Sequence, residues 1–379
     1  MKIVIAPDSF KGSLSAASVA EAIARGIWRC APDADIVKLP IADGGEGTLD
    51  SLLAATSGER ITVNVTGPLG TSVNASYGII GQTAVVEMAE ASGLCLLTEV
   101  QRNPALTTTY GTGELIRHAL DLGCRRFLLT VGGSATNDGG TGMLQALGMR
   151  LLDRHGMPVP PGGGALADIA TIEDSLWDPR ISESSFVIAT DVQNPLIGEQ
   201  GATRVFGPQK GASPEMVDQL EQGMAVWADL IEANTRIRLH NRPGAGAAGG
   251  LCGAYLAFFP ASIRRGIDVV LEHVRLEEHL HGADLVITGE GRIDHQTASG
   301  KAPMGVAQLA KKHGIPAIAL AGSVGSGIDV LYSEGISSVH SIMNTPMALQ
   351  EAMERAPILL EQTAEQVIRT FLAGRVSNP

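Results

Sequence analysis

Carboxylates and cations set among glycines are the residues of this chain best placed to do chemistry. Asp8-Ser9-Phe10-Lys11-Gly12-Ser13 combines hydroxyls, backbone N–H groups and a cation, the set an anion needs. As a purely structural element it is a helix start capped by Ser13 or Ser15, which leaves Lys11 unexplained. Asp43-Gly44-Gly45-Glu46-Gly47-Thr48 places glycines around two carboxylates, allowing close backbone approach and offering oxygens to a metal or a hydroxyl. Gly132-Gly133-Ser134-Ala135-Thr136-Asn137-Asp138-Gly139-Gly140 repeats the pattern, with N–H and hydroxyl donors suited to phosphate and Asp138 suited to magnesium. Gly289-Glu290-Gly291-Arg292-Ile293-Asp294, followed by Gln296, Gly300 and Lys301, adds two cations. Ala189-Thr190-Asp191-Val192-Gln193-Asn194-Pro195 carries an acid that could serve as a base toward a hydroxyl or as a metal ligand. Phe206-Gly207-Pro208-Gln209-Lys210-Gly211 holds a lysine in a glycine-rich turn.

The elements around these clusters give them a common setting. Ile3 to Ala6 is a short apolar run, after which Ala16, Val19, Ala20, Ile23, Ala24 and Ile27 recur at helical spacing. The same strand-then-helix pattern returns at Ile36–Ile41 with Leu49, Leu52 and Leu53, at Phe127–Val131 with Met143, Leu144 and Leu147, at Leu285–Thr288 with Val306 and Leu309, and at Ala317–Ala321 with Val330 and Leu331. Such alternation predicts an α/β fold with largely parallel sheets covered on both faces. Ligands of open α/β sheets gather at the carboxyl ends of the strands, where the clusters fall. Ile61–Val65 and Val73–Tyr77 alternate instead, joined by Gly67-Pro68-Leu69-Gly70, and predict a hairpin. The change of pattern predicts two domains, 1–60 plus 284–379 and an inserted 61–283, with the active site in the cleft between them. Met216, Leu220, Met224, Trp227 and Ile231 mark a long amphipathic helix whose stripe is core packing.

Composition narrows the function. The 379 residues carry 28 Lys+Arg and 40 Asp+Glu, so the net charge of −12 repels nucleic-acid backbones and anionic membranes. The 46 glycines follow no collagen period and belong to turns and close approaches. Cys30, Cys95, Cys124 and Cys252 form no C-x-x-C pair, which predicts a reducing, cytoplasmic setting rather than a zinc or disulfide framework. The N-terminus enters a strand at once and no apolar run is long enough to span a bilayer, so a soluble, unprocessed chain is expected. There is no G-x-x-x-x-G-K-[ST], no G-x-S-x-G and no H-E-x-x-H. His273, His279 and His281 lie on a charged helical stretch and read as solvated surface. Gly244-Ala245-Gly246-Ala247-Ala248-Gly249, with Asp268 downstream, matches the dinucleotide fingerprint, the basis of a rival NAD-dependent dehydrogenase reading. It follows Arg242-Pro243 rather than a buried strand, so a small-residue helix start packed closely on another element explains it better.

Taken together, the clusters resemble the bacterial glycerate kinase type-1 family. The matching stretches are Ala6–Lys11, Pro40–Thr48, Gly132–Gly140, Asp191–Leu196, Phe206–Ala212, Gly244–Leu251 and Val286–Asp294, and the resemblance extends over essentially the whole chain. Thr190 departs from the cysteine expected before the aspartate in many members, which leaves the carboxylate untouched. The resemblance implies a flavodoxin-like, Rossmann-like parallel-sheet domain with a second, inserted α/β domain containing hairpins. It also implies ATP- and Mg2+-dependent phosphorylation of D-glycerate, with the 2-phosphate product favoured over the 3-phosphate. On that reading Asp8, Ser9, Lys11, Arg292 and Lys301 bind the substrate, and Lys11 and Arg292 also act on the transferred phosphate. Asp191 takes the hydroxyl proton, with Asp43 as competitor. Gly132, Gly133, Ser134, Thr136, Asn137 and Lys210 hold the nucleotide, and Asp138 or Glu290 stands near magnesium. The same loops could exchange nucleotide and substrate. A non-catalytic small-anion binding protein would use them without a nucleotide, and self-association into a homo-oligomer is left open.

Overall fold

The computed structural model describes residues 1–376. Its contacts divide the chain into two compact units. The first contains Met1–Asp43, Asp50–Ser57 and the chain from Arg265 onward; the second contains Gly44–Leu49 and Gly58–Arg264. The return to the first unit therefore falls at Arg265 rather than near 284. The helices Gly266–His273 and Leu276–Leu280 bury Ile267, Val270 and Leu276, and Ile267 fills the notch at Gly305, where an added Cβ would lie 2.3 Å away. Gly44–Leu49 joins the second unit because the Glu87 carboxylate accepts hydrogen bonds from the N–H groups of Gly47 (2.8 Å) and Leu49 (3.1 Å).

In the first unit, Ile336–Ser341, Ala317–Val324, Leu285–Ile293, Lys2–Ile5 and Asp35–Lys38 lie side by side in that order, all parallel. Counted along the unit the order is 5-4-3-1-2, the flavodoxin-type winding. Ile3, Val4 and Ile5 are fully buried and pair in register with Leu285, Val286 and Ile287, as a strand covered on both faces requires. The winding reverses between these two strands, so a crevice opens beyond their carboxyl ends. The helix Ala16–Trp28 is capped by Ser15, whose side chain accepts from the Ser18 N–H. It packs closely on the helix Leu349–Val376 because Gly26 has no side chain: a Cβ there would lie 2.1 Å from the Glu361 carbonyl oxygen.

The second unit holds a six-stranded sheet, Ala261–Arg264, Ser185–Ala189, Arg126–Thr130, Thr83–Glu87, Ser72–Ile80 and Glu59–Thr66. Its first four strands are parallel, and the last two are the predicted hairpin, with Val65 opposite Val73 and Ile61 opposite Tyr77. Phe127 stacks on Phe186 at 4.6 Å between ring centroids within its core. The predicted amphipathic helix runs Pro214–Thr235 and buries Leu220, Met224, Trp227 and Ile231, with the Trp227 Nε1–H donating to the Gly139 carbonyl at 3.0 Å.

Candidate active site

Three of the predicted clusters supply the first unit's site. Lys2–Ile5 delivers Asp8, Ser9 and Lys11; Asp35–Lys38 leads to Asp43; Leu285–Ile293 ends with Glu290 and Arg292; and Lys301 precedes the helix Ala302–Lys312. All seven line one cavity of about 620 Å³. The backbone closes the crevice tightly, with the Asp8 N–H donating to the Gly289 carbonyl at 2.8 Å and the Ile41 N–H to the Pro7 carbonyl at 3.0 Å.

Like charges face one another here. Burial pushes the Asp8 carboxyl up to about 7, and the neighbouring Asp43 and Glu290 add to the rise against the opposing Ser9 N–H and Lys11. Glu290 is also raised, first by burial and then by Asp43, although the Thr297 hydroxyl donates to it at 2.8 Å and the Lys301 ammonium stands 3.4 Å away. Arg292 bonds Asp294 at 3.0 Å but leaves most of its guanidinium exposed. Asp294 is held low by the Gln296 N–H, because its work is to cap the short helix His295–Ser299. Asp8, Asp43 and Glu290 thus bring hard carboxylate oxygens, the ligand type divalent cations prefer, to the wall of one cavity. Of the two residues expected near magnesium, Glu290 is the one in this cavity.

The glycine-rich loop Gly132–Gly140 follows Arg126–Thr130 at the carboxyl edge of the second unit's sheet. Its side chains work inward. Asp138 is fully buried and accepts from the Thr109 N–H (2.8 Å), the Thr109 hydroxyl (2.8 Å), the Gly140 N–H (3.1 Å) and the Gly142 N–H (3.3 Å). Burial pushes its pKa up while those donors oppose the rise. Asp138, one of the two residues expected near magnesium, anchors the loop through these bonds. Lys210 is 2% exposed and donates to the Ser134 hydroxyl at 2.8 Å and the Thr136 carbonyl at 2.7 Å. Thr136 and Asn137 are fully buried, and the Asn137 amide donates to the Thr203 hydroxyl at 3.0 Å. Lys210 and the Asn137 amide nitrogen thus brace the loop, while the Thr136 hydroxyl and the Asn137 amide oxygen are buried without a hydrogen-bond partner. Gly132 and Gly133 keep their backbone accessible, and Gly132 touches the Gly45 loop, where a Cβ would come within 2.7 Å of Gly45 Cα. Asp191 stands exposed just after Ser185–Ala189, at the same sheet edge as Glu87.

The Gly244–Gly249 match is a packing device. A Cβ at Gly246 would lie 2.1 Å from the Pro195 carbonyl oxygen and one at Gly249 2.0 Å from that of Thr136, so these glycines let two backbones meet. In comparison with known proteins, the sequence profile of the glycerate kinase family matches residues 3–372. The chain belongs to the glycerate kinase family. It is 52% identical over 369 residues to a glycerate kinase of Bacillus subtilis, covering 97% of each chain. It is 47% identical over 376 residues to a glycerate 2-kinase of Escherichia coli, covering 99% of each. A crystal structure from Salmonella typhimurium LT2, described as that of a candidate glycerate kinase 2, superposes with a TM-score of 0.89 at 49% identity over 99% of both chains. Family membership leaves the dehydrogenase reading without support.

Sequence reasoning did not find Thr297, which orients Glu290, nor the methionines lining the same cavity; Met343, Met347 and Met353 stand close together in the chain but follow no element's period. Among the described residues, the grouping with metal-ligand spacing is Asp229, Glu232 and His240 rather than the three downstream histidines. There the Glu232 oxygen already accepts from Arg238 at 2.8 Å.

Proposed function

We propose that this chain transfers the terminal phosphoryl group of ATP to a hydroxyl of D-glycerate, with 2-phosphoglycerate as product. The observation that carries the reading is the convergence of Lys11, Arg292 and Lys301 with Asp8, Asp43 and Glu290 in one cavity at the switch point of a parallel sheet. Phosphoryl transfer asks little covalent chemistry of a protein; it asks for positioning and for compensation of spread negative charge. Lys11, Arg292 and Lys301 meet the anionic oxygens of the transferred group. Asp8, Asp43 and Glu290 would hold Mg2+, which supplies charge neutralisation to the phosphates when bound. Asp191 takes the hydroxyl proton, with Asp43 as its rival, and Ser9 hydrogen-bonds the substrate. The name of the Escherichia coli relative, glycerate 2-kinase, supports the 2-phosphate product.

A cytoplasmic setting is part of the same proposal. It is supported by four free cysteines and by the lack, among the described residues, of a helix long and apolar enough to cross a membrane. The test is a coupled assay of ADP release with ATP, magnesium and D-glycerate, followed by phosphorus NMR of the product. Glycerate-dependent ADP release and a 2-phosphate resonance are expected. Absence of glycerate-stimulated release overturns the kinase reading, and a 3-phosphate resonance overturns the regiochemistry alone.

A further inference from the structure

Of the first unit's cavity, the proposed phosphoryl chemistry uses only the charged part. The remaining wall is apolar: Phe10, Ile342, Met343, Met347 and Met353, with Ala352 and Ala356 between them. A three-carbon hydroxy acid has no apolar face to set against such a wall. A cavity of about 620 Å³ also falls in the range of roughly 300–1,000 Å³ that encloses much larger ligands. Methionine thioethers are flexible and polarisable and sit favourably against flat rings.

The wall belongs to the same compact unit as the cations. The Ser13 hydroxyl donates to the Met353 carbonyl at 2.8 Å, and Met353 Cε would lie 3.3 Å from a Cβ at Gly12, so the start of the helix Leu349–Val376 is fixed on the loop that carries Lys11. Ala352 and Ala356 lie four residues apart on that helix, one turn above the other, where their small side chains leave room for a ring. One pocket thus offers an apolar face, three cations and a carboxylate cluster suited to a divalent ion. That polarity matches a magnesium-bound nucleoside triphosphate along its length, from heterocycle to polyphosphate.

We propose that the Met343, Met347, Met353 and Phe10 wall is the purine subsite, with the polyphosphate directed to Lys11, Arg292 and Lys301. The inference rests on the kinase reading and reverses the expectation that the Gly132–Asn137 loop holds the nucleotide. Photolabelling of the wild-type protein with 8-azido-ATP and magnesium, with the modified peptides mapped by mass spectrometry, tests it without any substitution. Label within 342–356 or on Phe10, removed by excess ADP, is expected. Label confined to 132–140 or 244–250 overturns the proposal. As a second measurement, calorimetric titration with magnesium-ADP should show affinity weakened about tenfold or more in Ala352→Trp and Met347→Glu. The Michaelis constant for ATP should rise with it, while that for glycerate stays within about twofold. Unchanged ADP affinity in both variants also overturns the proposal. If wild-type protein binds and is labelled by the nucleotide but releases no ADP with glycerate, the kinase reading fails while the purine subsite stands.

Discussion

Lys210 makes the loop assignment testable through pH. Its ammonium is buried in the second unit, and burial pushes its pKa down to about 7, with the charge of Asp138 opposing the fall only in part. Its two acceptors, the Ser134 hydroxyl and the Thr136 carbonyl, match the two N–H bonds of a neutral amine. An ordinary lysine titrates near 10.5, so between about 7 and 10.5 the unfolded chain binds a proton that the folded chain does not. Stability is therefore greatest above the unfolded value and is lost as pH falls through the window to the folded one. The slope reaches about 1.4 kcal/mol per pH unit inside the window, and the whole displacement corresponds to roughly 4 to 5 kcal/mol. Lys210→Met keeps the chain length and removes the titration. Its absolute stability is not diagnostic, because the Ser134 hydroxyl and the Thr136 carbonyl lose a donor, at about 1–3 kcal/mol. The diagnostic quantity is the difference between wild type and variant in urea unfolding, followed by tryptophan fluorescence at pH 7, 8 and 9. Wild type should gain on Lys210→Met at each step upward. Parallel stabilities across that range would show that Lys210 stays charged, and that the loop is not built around a neutral amine.

The remaining predictions concern the site and its scaffold. Arg292→Ala and Lys301→Ala should each lower turnover by about 100-fold, the usual scale for one charge-stabilising donor, with unchanged circular dichroism; wild-type kinetics in both would move the anion site elsewhere. Asp191→Asn should reduce turnover at saturating substrates by about 100- to 10,000-fold if it is the base, and near-normal turnover would pass that role to Asp43. Gly26→Ala should cost about 1–3 kcal/mol in denaturant unfolding, because its Cβ meets the Glu361 carbonyl at 2.1 Å; a neutral result would show that the two helices separate easily.

The elements were largely legible because apolar strand runs alternate with helical spacing, and the two alternating runs at 61–65 and 73–77 pair as the expected hairpin. Convergence at the site was legible for a related reason: in a parallel sheet every strand end reaches the same edge, so Asp8, Asp43, Glu290 and Arg292 could be expected together although they lie far apart in the chain. The boundary near 265 was hidden because it depends on which body Ile267 packs into, a tertiary choice at Gly305 that periodicity does not record. The apolar wall was hidden because Met343 and Met347 stand in an irregular stretch and only Met353 sits on a helix.

The two kinds of glycine-rich loop share a vocabulary of Asp, Ser, Thr, Asn and Lys, so residue types alone could not separate scaffold from site. Their charge balance separates them. Around Asp138 each carboxylate oxygen faces N–H or O–H donors from the second unit's own backbone and Thr109, and Lys210 spends its hydrogen bonds on the loop it supports. Around Asp8 and Glu290 burial raises both carboxyls, and neighbouring acids add to the rise, Asp43 and Glu290 at Asp8 and Asp43 at Glu290. A fold that keeps like charges together in a buried crevice bears a cost that packing alone does not repay. The cost falls when a cation and a polyanion arrive together, and this is why the first unit's cavity, rather than the more glycine-rich loop, is where the phosphoryl group is expected to bind.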